Sequence, residues 1–285
     1  MKYYKQALAP LKNLIINRPA FYFSGKKYVR YILFISRMHS IFKSNYISKY
    51  LTFPSKKISN FYLHRVSFGK SLIFFQSEFR ISRFIKGFEN AGKRMWERYQ
   101  IDQLIGSEIP SAVLDVGANI GEFAFYANRK FKGEVKIIAI EPDLLALECL
   151  WLNLKNSKII IEPVAVSNKE GNQHFFLKTA TADSSLHDPT GDSMKTKVML
   201  KKIDQLILKN RLKGPILIKM DTEGHEPEAL KGISKEIKKV KWVSIDTGPE
   251  RSGHRTTEQV VKILSKYGFT QIKISKEDIV TARRI

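Results

Sequence analysis

Residues Asp221-Thr222-Glu223-Gly224-His225-Glu226 set one imidazole among three carboxylates in a single short stretch. An imidazole gains and loses its proton near neutral pH, so His225 is the candidate general base, with Glu223 or Asp221 holding its tautomer and stabilising the imidazolium that forms. Such assistance is worth about 10² to 10⁴ in rate. Glu226 followed by Pro227 reads equally as an ordinary helix start, where acidic groups and a first-turn proline are both favourable. The base reading assigns no metal. A divalent cation held by Asp221, Glu223 and His225, with Asp183 or Asp246 assisting, is the alternative, because hard cations prefer oxygen-rich sets.

A second group lies upstream. Leu114-Asp115-Val116-Gly117-Ala118-Asn119-Ile120-Gly121 follows a β-branched run and opens a helix. Gly117 and Gly121 allow a sharp turn and a close backbone approach to a ligand. Their G-x-x-x-G spacing differs from the dinucleotide fingerprint, and no Gly-Lys-Ser/Thr follows to cradle phosphate, so NAD and nucleotide chemistry are disfavoured. A carboxylate at Asp115 suits a cationic ligand. Glu141, at the end of the next strand, stands where an acidic side chain accepts hydrogen bonds from ribose hydroxyls. A nucleoside without phosphate and with positive charge fits both residues, and S-adenosylmethionine is the common cofactor of that description.

Asp115-Val116-Gly117-Ala118-Asn119-Ile120-Gly121, Glu141-Pro142 and Lys219-Met220-Asp221-Thr222-Glu223-Gly224-His225-Glu226 resemble, in order and spacing, the motifs of the FkbM-type S-adenosylmethionine-dependent methyltransferases. The resemblance covers roughly residues 110 to 250, and the last motif is the specific one. It implies a class I methyltransferase fold, cofactor contacts around Asp115, Gly117, Asn119, Gly121 and Glu141, and O-methylation of a sugar, glycan or glycolipid hydroxyl. Met220 and Thr222 depart from the usual residues of the motif.

These residues need elements to hold them. From residue 111 onward, β-branched runs alternate with amphipathic stretches: Ala112 to Asp115, Lys136 to Glu141, Ile159 to Ile161, Ile216 to Asp221, Trp242 to Asp246 and Phe269 to Ile274. Near-continuous apolar strands belong to a sheet covered on both faces. The fold expected is doubly wound α/β with a mostly parallel seven-stranded sheet, and with helical and hairpin elements ahead of it. Leu147, Leu150, Trp151 and Leu154 mark one covering helix, Leu230, Ile233 and Ile237 another, and Gln259 to Tyr267 a third that ends at Gly268. Thr179 to Lys195 reads as a long polar loop whose Asp183, Ser184, Ser185 and His187 can reach acceptor or cofactor. Asp246-Thr247-Gly248-Pro249-Glu250-Arg251 either shapes the acceptor pocket or makes a turn and helix cap.

The chain of 285 residues carries a net charge of +22. Residues 1–100 hold 20 Lys/Arg against three Glu, so most of the excess lies there. Three parts follow: a basic amphipathic extension, 1–60, read as short helices; a hairpin and helix, 61–106; and the methyltransferase domain, 107–285. Cys149 is the one cysteine, which excludes an internal disulfide and cysteine-rich zinc sites. The sequence shows no signal peptide and no membrane-spanning run, so the expected place is the cytoplasm, with peripheral contact to anionic membrane through the basic extension. Two rival functions compete: methylation of RNA ribose hydroxyls, and an idle domain on a membrane-surface binding protein. The residues after the fourth strand, Asp221-Thr222-Glu223-Gly224, lack the Asn/Asp-Pro-Pro-aromatic pattern of base-amine methylation, and a nucleic acid partner is disfavoured.

Overall fold

A computed structural model describes residues 52–58, 61–68, 71–75, 87–177, 184–187 and 194–285. Three strands come first, β1 (Thr52–Ile58), β2 (Phe61–Phe68) and β3 (Ser71–Phe75), joined as an antiparallel sheet in that order. The expected hairpin thus has a third strand, and residues 52–58 are extended rather than helical. The remainder of the basic extension, and with it the expected membrane contact, lies outside the described residues.

Helices α1 (Phe88–Arg98) and α2 (Ile101–Ile105) follow, where one helix was expected. The break falls at Gln100, whose φ of 54° no helix interior tolerates. Then come β4 (Ala112–Val116), α3 (Glu122–Lys130), β5 (Lys136–Ile140), α4 (Leu144–Leu154) and β6 (Ile160–Glu162). Asp143 caps α4, its carboxylate accepting from the backbone of Leu145 at 2.8 Å and Ala146 at 3.3 Å. Trp151, expected on the packed side of α4, stands 45% exposed.

A small sheet is inserted next: β7 (Ala165–Val166), β8 (Gly171–Leu177) and β9 (Met194–Lys201), in the order β7-β9-β8. It overturns part of the expected long loop, since β9 begins at Met194 and Ser185 bridges back to Phe176. Helix α5 (Ile203–Lys209), β10 (Ile216–Met220), α6 (Glu226–Lys231), β11 (Val240–Asp246), α7 (Thr257–Lys266), β12 (Lys273–Ile274) and β13 (Ile279–Arg283) complete the chain.

The main sheet runs β12-β13-β11-β10-β4-β5-β6, with β13 antiparallel to its neighbours and the other pairs parallel. The expected last strand shrinks to the two-residue edge β12. The β-branched run Ile279-Val280-Thr281 takes the place beside β11 instead.

Alternation along the buried strands divides the core into two layers. Leu114, Ile138, Ile216 and Ile218 face one layer, covered by α5, α6 and α7 through Leu206, Leu230 and Leu264. Val113, Ile137 and Leu217 face the other, covered by α1, α3 and α4 through Trp96, Phe123 and Leu150. Chain winding reverses between β4 and β10. In open α/β sheets, ligands bind beyond the strand ends at such a reversal.

Among the described residues, no helix is long and apolar enough to cross a membrane.

Candidate functional site

A cavity of about 340 Å³ opens at that reversal, beyond the carboxyl ends of β4, β5, β10 and β11. One rim is formed by the turns after β4 and β5. The Gly117 and Ala118 amides both donate to the Ile140 carbonyl, at 3.0 Å each, which folds the first turn over the end of β5. Glu141 is then gripped by backbone: Asn119 N–H donates to Oε2 at 2.7 Å and Asp143 N–H to Oε1 at 2.9 Å. A carboxylate has about four lone-pair sites, so acceptor capacity remains for a ligand. Burial, with the nearby Asp143 charge, pushes Glu141 up to about 8.

Asp115 does not line the cavity. It is fully buried on the sheet, in register with Lys219 of β10, and the Lys219 ammonium meets its Oδ1 at 3.1 Å. Burial pushes Asp115 up to about 6 while Lys219 pulls it back. The expectation of a carboxylate facing a cationic ligand is corrected: the cation it meets belongs to the protein. Lys219 also donates to the Gly117 carbonyl at 2.9 Å and lies against the rings of Tyr99 and Phe123, so it ties the two central strands together at the floor of the cavity, which it lines.

The two glycines have separate reasons. Gly117, at φ 71°, is where the rims touch, since a Cβ there would fall 1.8 Å from the Asp221 carbonyl oxygen. Gly121, at φ 94°, faces away from the cavity, and a Cβ would strike Leu150 Cδ1 at 2.5 Å. Helix packing, rather than a ligand, requires Gly121.

The other rim carries the acidic motif. Asp221 Oδ2 accepts from the Tyr99 hydroxyl at 2.8 Å. Glu226 is fully buried and clamps its own turn: Oε1 takes the Thr222 hydroxyl at 2.8 Å and the Gly224 amide at 3.0 Å, and Oε2 takes the Thr256 hydroxyl at 2.9 Å. Of its two sequence readings, the structural one holds. Glu250 faces the cavity, and burial together with Asp221 and Asp246 pushes it up to about 9, so it is protonated at neutral pH. Asp246 pairs with Arg98 of α1 at 2.5 Å.

His225 lines the cavity but is not served by Glu223 or Asp221. Its Nδ1 lies 3.2 Å from His187 Nε2 and its Nε2 lies 3.1 Å from Ser167 Oγ. Burial lowers it to about 4. The oxygen cluster around Asp221 and Glu223 takes Glu250 as its third member, whereas His225 groups with His187 and Glu228. The alternative cation set proposed from sequence is therefore split between two places.

Residues 184–187 cross above both rims. Ser184 donates to Asp143 Oδ2 at 2.7 Å, and Ser185 to the Glu223 carbonyl at 2.8 Å. Asp183 lies outside the described residues.

Tyr99, Arg98, Lys219 and Ser167 were missed from sequence. Lys219 left a signal, a lone cation inside Ile-Leu-Ile-Lys-Met, since lysine is almost never fully buried without a partner. Tyr99 falls four residues after Met95 on the same helical face, and a buried tyrosine hydroxyl needs a partner.

The cavity is acidic although the chain is basic. Glu122, Glu141, Asp143, Asp221, Glu223, Asp246 and Glu250 face it against Arg98 and Lys219, both of which are paired.

A family model described as the methyltransferase FkbM domain matches residues 115–270, more than half of the chain. The chain is 28% identical over 183 residues to the hexuronic acid methyltransferase AglP of Haloferax volcanii, spanning 62% of this chain and 72% of that one. Among solved structures, a precorrin-6y C5,15-methyltransferase from Geobacter metallireducens aligns at a TM-score of 0.39 with 12% identity, covering 66% of this chain and 88% of that one. A SAM-dependent methyltransferase from Aquifex aeolicus aligns at 0.37 with 15% identity, covering 67% and 87%.

Proposed function

Because this chain belongs to the FkbM methyltransferase family, we propose that it transfers a methyl group from S-adenosylmethionine to a hydroxyl of a sugar, glycan or glycolipid. The observation that carries this reading is the pairing of two rims: a backbone-gripped Glu141 on one and the side-chain carboxyl of Asp221 on the other. The relative's sugar acceptor supports the carbohydrate class.

The residues fit the donor. Glu141 retains lone pairs for ribose hydroxyls, the Gly117 to Asn119 turn brings bare backbone to the cavity, and the acidic lining favours a cation. When bound, S-adenosylmethionine supplies a methyl group already electrophilic on its sulfonium. The chain's own residues then have to orient an acceptor hydroxyl and accept its proton.

We assign that proton to Asp221 Oδ1. Tyr99 holds Oδ2, which fixes the carboxylate plane. His225 suits the task less well, because both its nitrogens are already engaged by Ser167 and His187. Glu223 stays at the same wall as an acceptor of substrate hydroxyls. Glu250, protonated at neutral pH, donates to an acceptor oxygen. Among the described residues the basic side chains at the cavity, Arg98 and Lys219, are both paired with carboxylates, which argues against a phosphate-bearing acceptor such as RNA.

The test uses the full chain with methyl-labelled donor and fractionated cell glycans, lipids and RNA. Label is expected in carbohydrate as a methyl ether, and Asp221→Asn should lower transfer at least a hundredfold with S-adenosylhomocysteine affinity unchanged. Label in RNA would refute the acceptor class, and near-normal turnover of the variant would refute the base.

A further inference from the structure

His187, His225 and Glu228 bring three ligand atoms within 4.8 Å of one another, and His225 of the three lines the cavity. His225 Nδ1 is 3.2 Å from His187 Nε2 and 3.7 Å from Glu228 Oε2. None of these contacts serves the proton transfer assigned above.

Hydrogen-bond directions say which atoms have lone pairs to give. Ser167 Oγ donates to Asn168 Oδ1 at 3.3 Å, so it stands as an acceptor toward His225 Nε2 at 3.1 Å. With the ring proton on Nε2, Nδ1 presents its lone pair to His187, whose Nε2–H donates in the metal-free protein and must release or shift that proton when a cation binds. A ligating histidine whose other nitrogen is fixed by a neighbouring acceptor is the usual arrangement around a bound metal.

The spacing agrees with such a centre. Zinc binds histidine nitrogen at about 2.0–2.1 Å in tetrahedral geometry, which sets two such nitrogens about 3.3 Å apart. The observed 3.2 Å matches, and the Glu228 oxygen stands slightly wider.

We propose that His187, His225 and Glu228 form a divalent metal site of the zinc class, with three protein ligands and a fourth position open toward the cavity. Two nitrogens and one carboxylate are the donors of open zinc sites, whereas magnesium and calcium select oxygen. Arg251 forks Glu228 through both terminal nitrogens, and its Nε donates to the Gly224 carbonyl at 2.6 Å. It orients the carboxylate, whose remaining lone pairs stay available to a metal. The site also gives residues 184–187 a purpose, because His187 would anchor that segment to the acidic rim. A water or an acceptor hydroxyl would complete the coordination.

The site stands on its own geometry, independent of the methyl-transfer reading. Tag-free full-length protein, stripped with chelator, is titrated with Co²⁺ and followed by visible absorption, then with Zn²⁺ as competitor. One tetrahedral Co²⁺ per chain, displaced by Zn²⁺, is expected. His187→Ala should weaken binding at least tenfold while S-adenosylhomocysteine calorimetry reports an intact fold. Absence of the cobalt spectrum in wild-type protein would reduce the histidine pair to a hydrogen bond and overturn the site. So would equal metal affinity in His187→Ala, or a preference for Mg²⁺, which would point to Asp221, Glu223 and Glu250 instead. Metal uptake without S-adenosylhomocysteine binding would support the site and count against the proposed function alone.

Discussion

The two rims of the cavity hold their carboxyl groups by opposite means. On the β4–β5 rim, Glu141 is fixed by backbone amides and Asp115 by a buried ammonium beneath it. On the β10–β11 rim, carboxyl groups crowd one another, and Asp221 and Asp246 help to hold Glu250 in its protonated form. The first rim is preorganised before any ligand arrives. The second is tuned by neighbours, so its chemistry changes with a single side chain.

The contrast is broken most severely from below. Asp115→Ala leaves the Lys219 ammonium buried without its partner, and removing one member of a buried pair costs about 3–5 kcal/mol. Chemical denaturation should show that loss, and replacing Lys219 by methionine in the same chain should restore part of it. Glu141→Gln, on the same rim but at the cavity wall, turns an amide nitrogen toward one of the two backbone N–H donors, a smaller loss of about 1–3 kcal/mol, and should weaken S-adenosylhomocysteine at least tenfold. Equal stability losses for the two would erase the distinction between floor and wall.

Proton linkage sharpens the picture next. In the free protein Glu141 keeps its proton up to about 8, well above its ordinary 4.5. Ribose hydroxyls donate to the ionised form, so binding must expel that proton. Affinity for S-adenosylhomocysteine should therefore rise with pH until about 8 and then level off. Calorimetry at pH 7 in buffers of differing ionisation heat should count about one proton released, and none in Glu141→Gln. A flat pH dependence in wild-type protein would remove Glu141 from the ribose.

The smallest effect concerns the crowded rim. Tyr99→Phe removes one hydrogen bond from Asp221, worth about 1 kcal/mol. Turnover should fall a few-fold with donor affinity unchanged, and an unaltered rate would leave Asp221 held by its backbone alone.

Much of this was legible in the chain. The five parallel strands could be read because strands buried on both faces are written as unbroken apolar runs, and the polar residues that follow them marked the strand ends. Asp221, Glu223, Glu141 and Gly117 meet at one cavity for that reason. Partners across the fold were not legible. Nothing in the spacing of Asp115 and Lys219 reveals that they lie side by side, since parallel register is set by tertiary pairing. Sequence adjacency gives His225 acidic neighbours, yet its ring nitrogens meet residues 167 and 187. The strand β13 is not legible because one short β-branched run carries little periodicity, nor is the break at Gln100, because a left-handed residue interrupts no apolar stripe.

Gly117 has a consequence for engineering. Its missing Cβ lets the turn after β4 rest directly on the Asp221 carbonyl, so the two lips of the cleft are in mechanical contact at their main chains. Grafting a relative's acceptor loop onto this scaffold, while leaving the nucleoside loop behind, would replace one surface of a fitted bearing. Chimaeras that exchange both loops together, with Gly117 retained, are the ones to build.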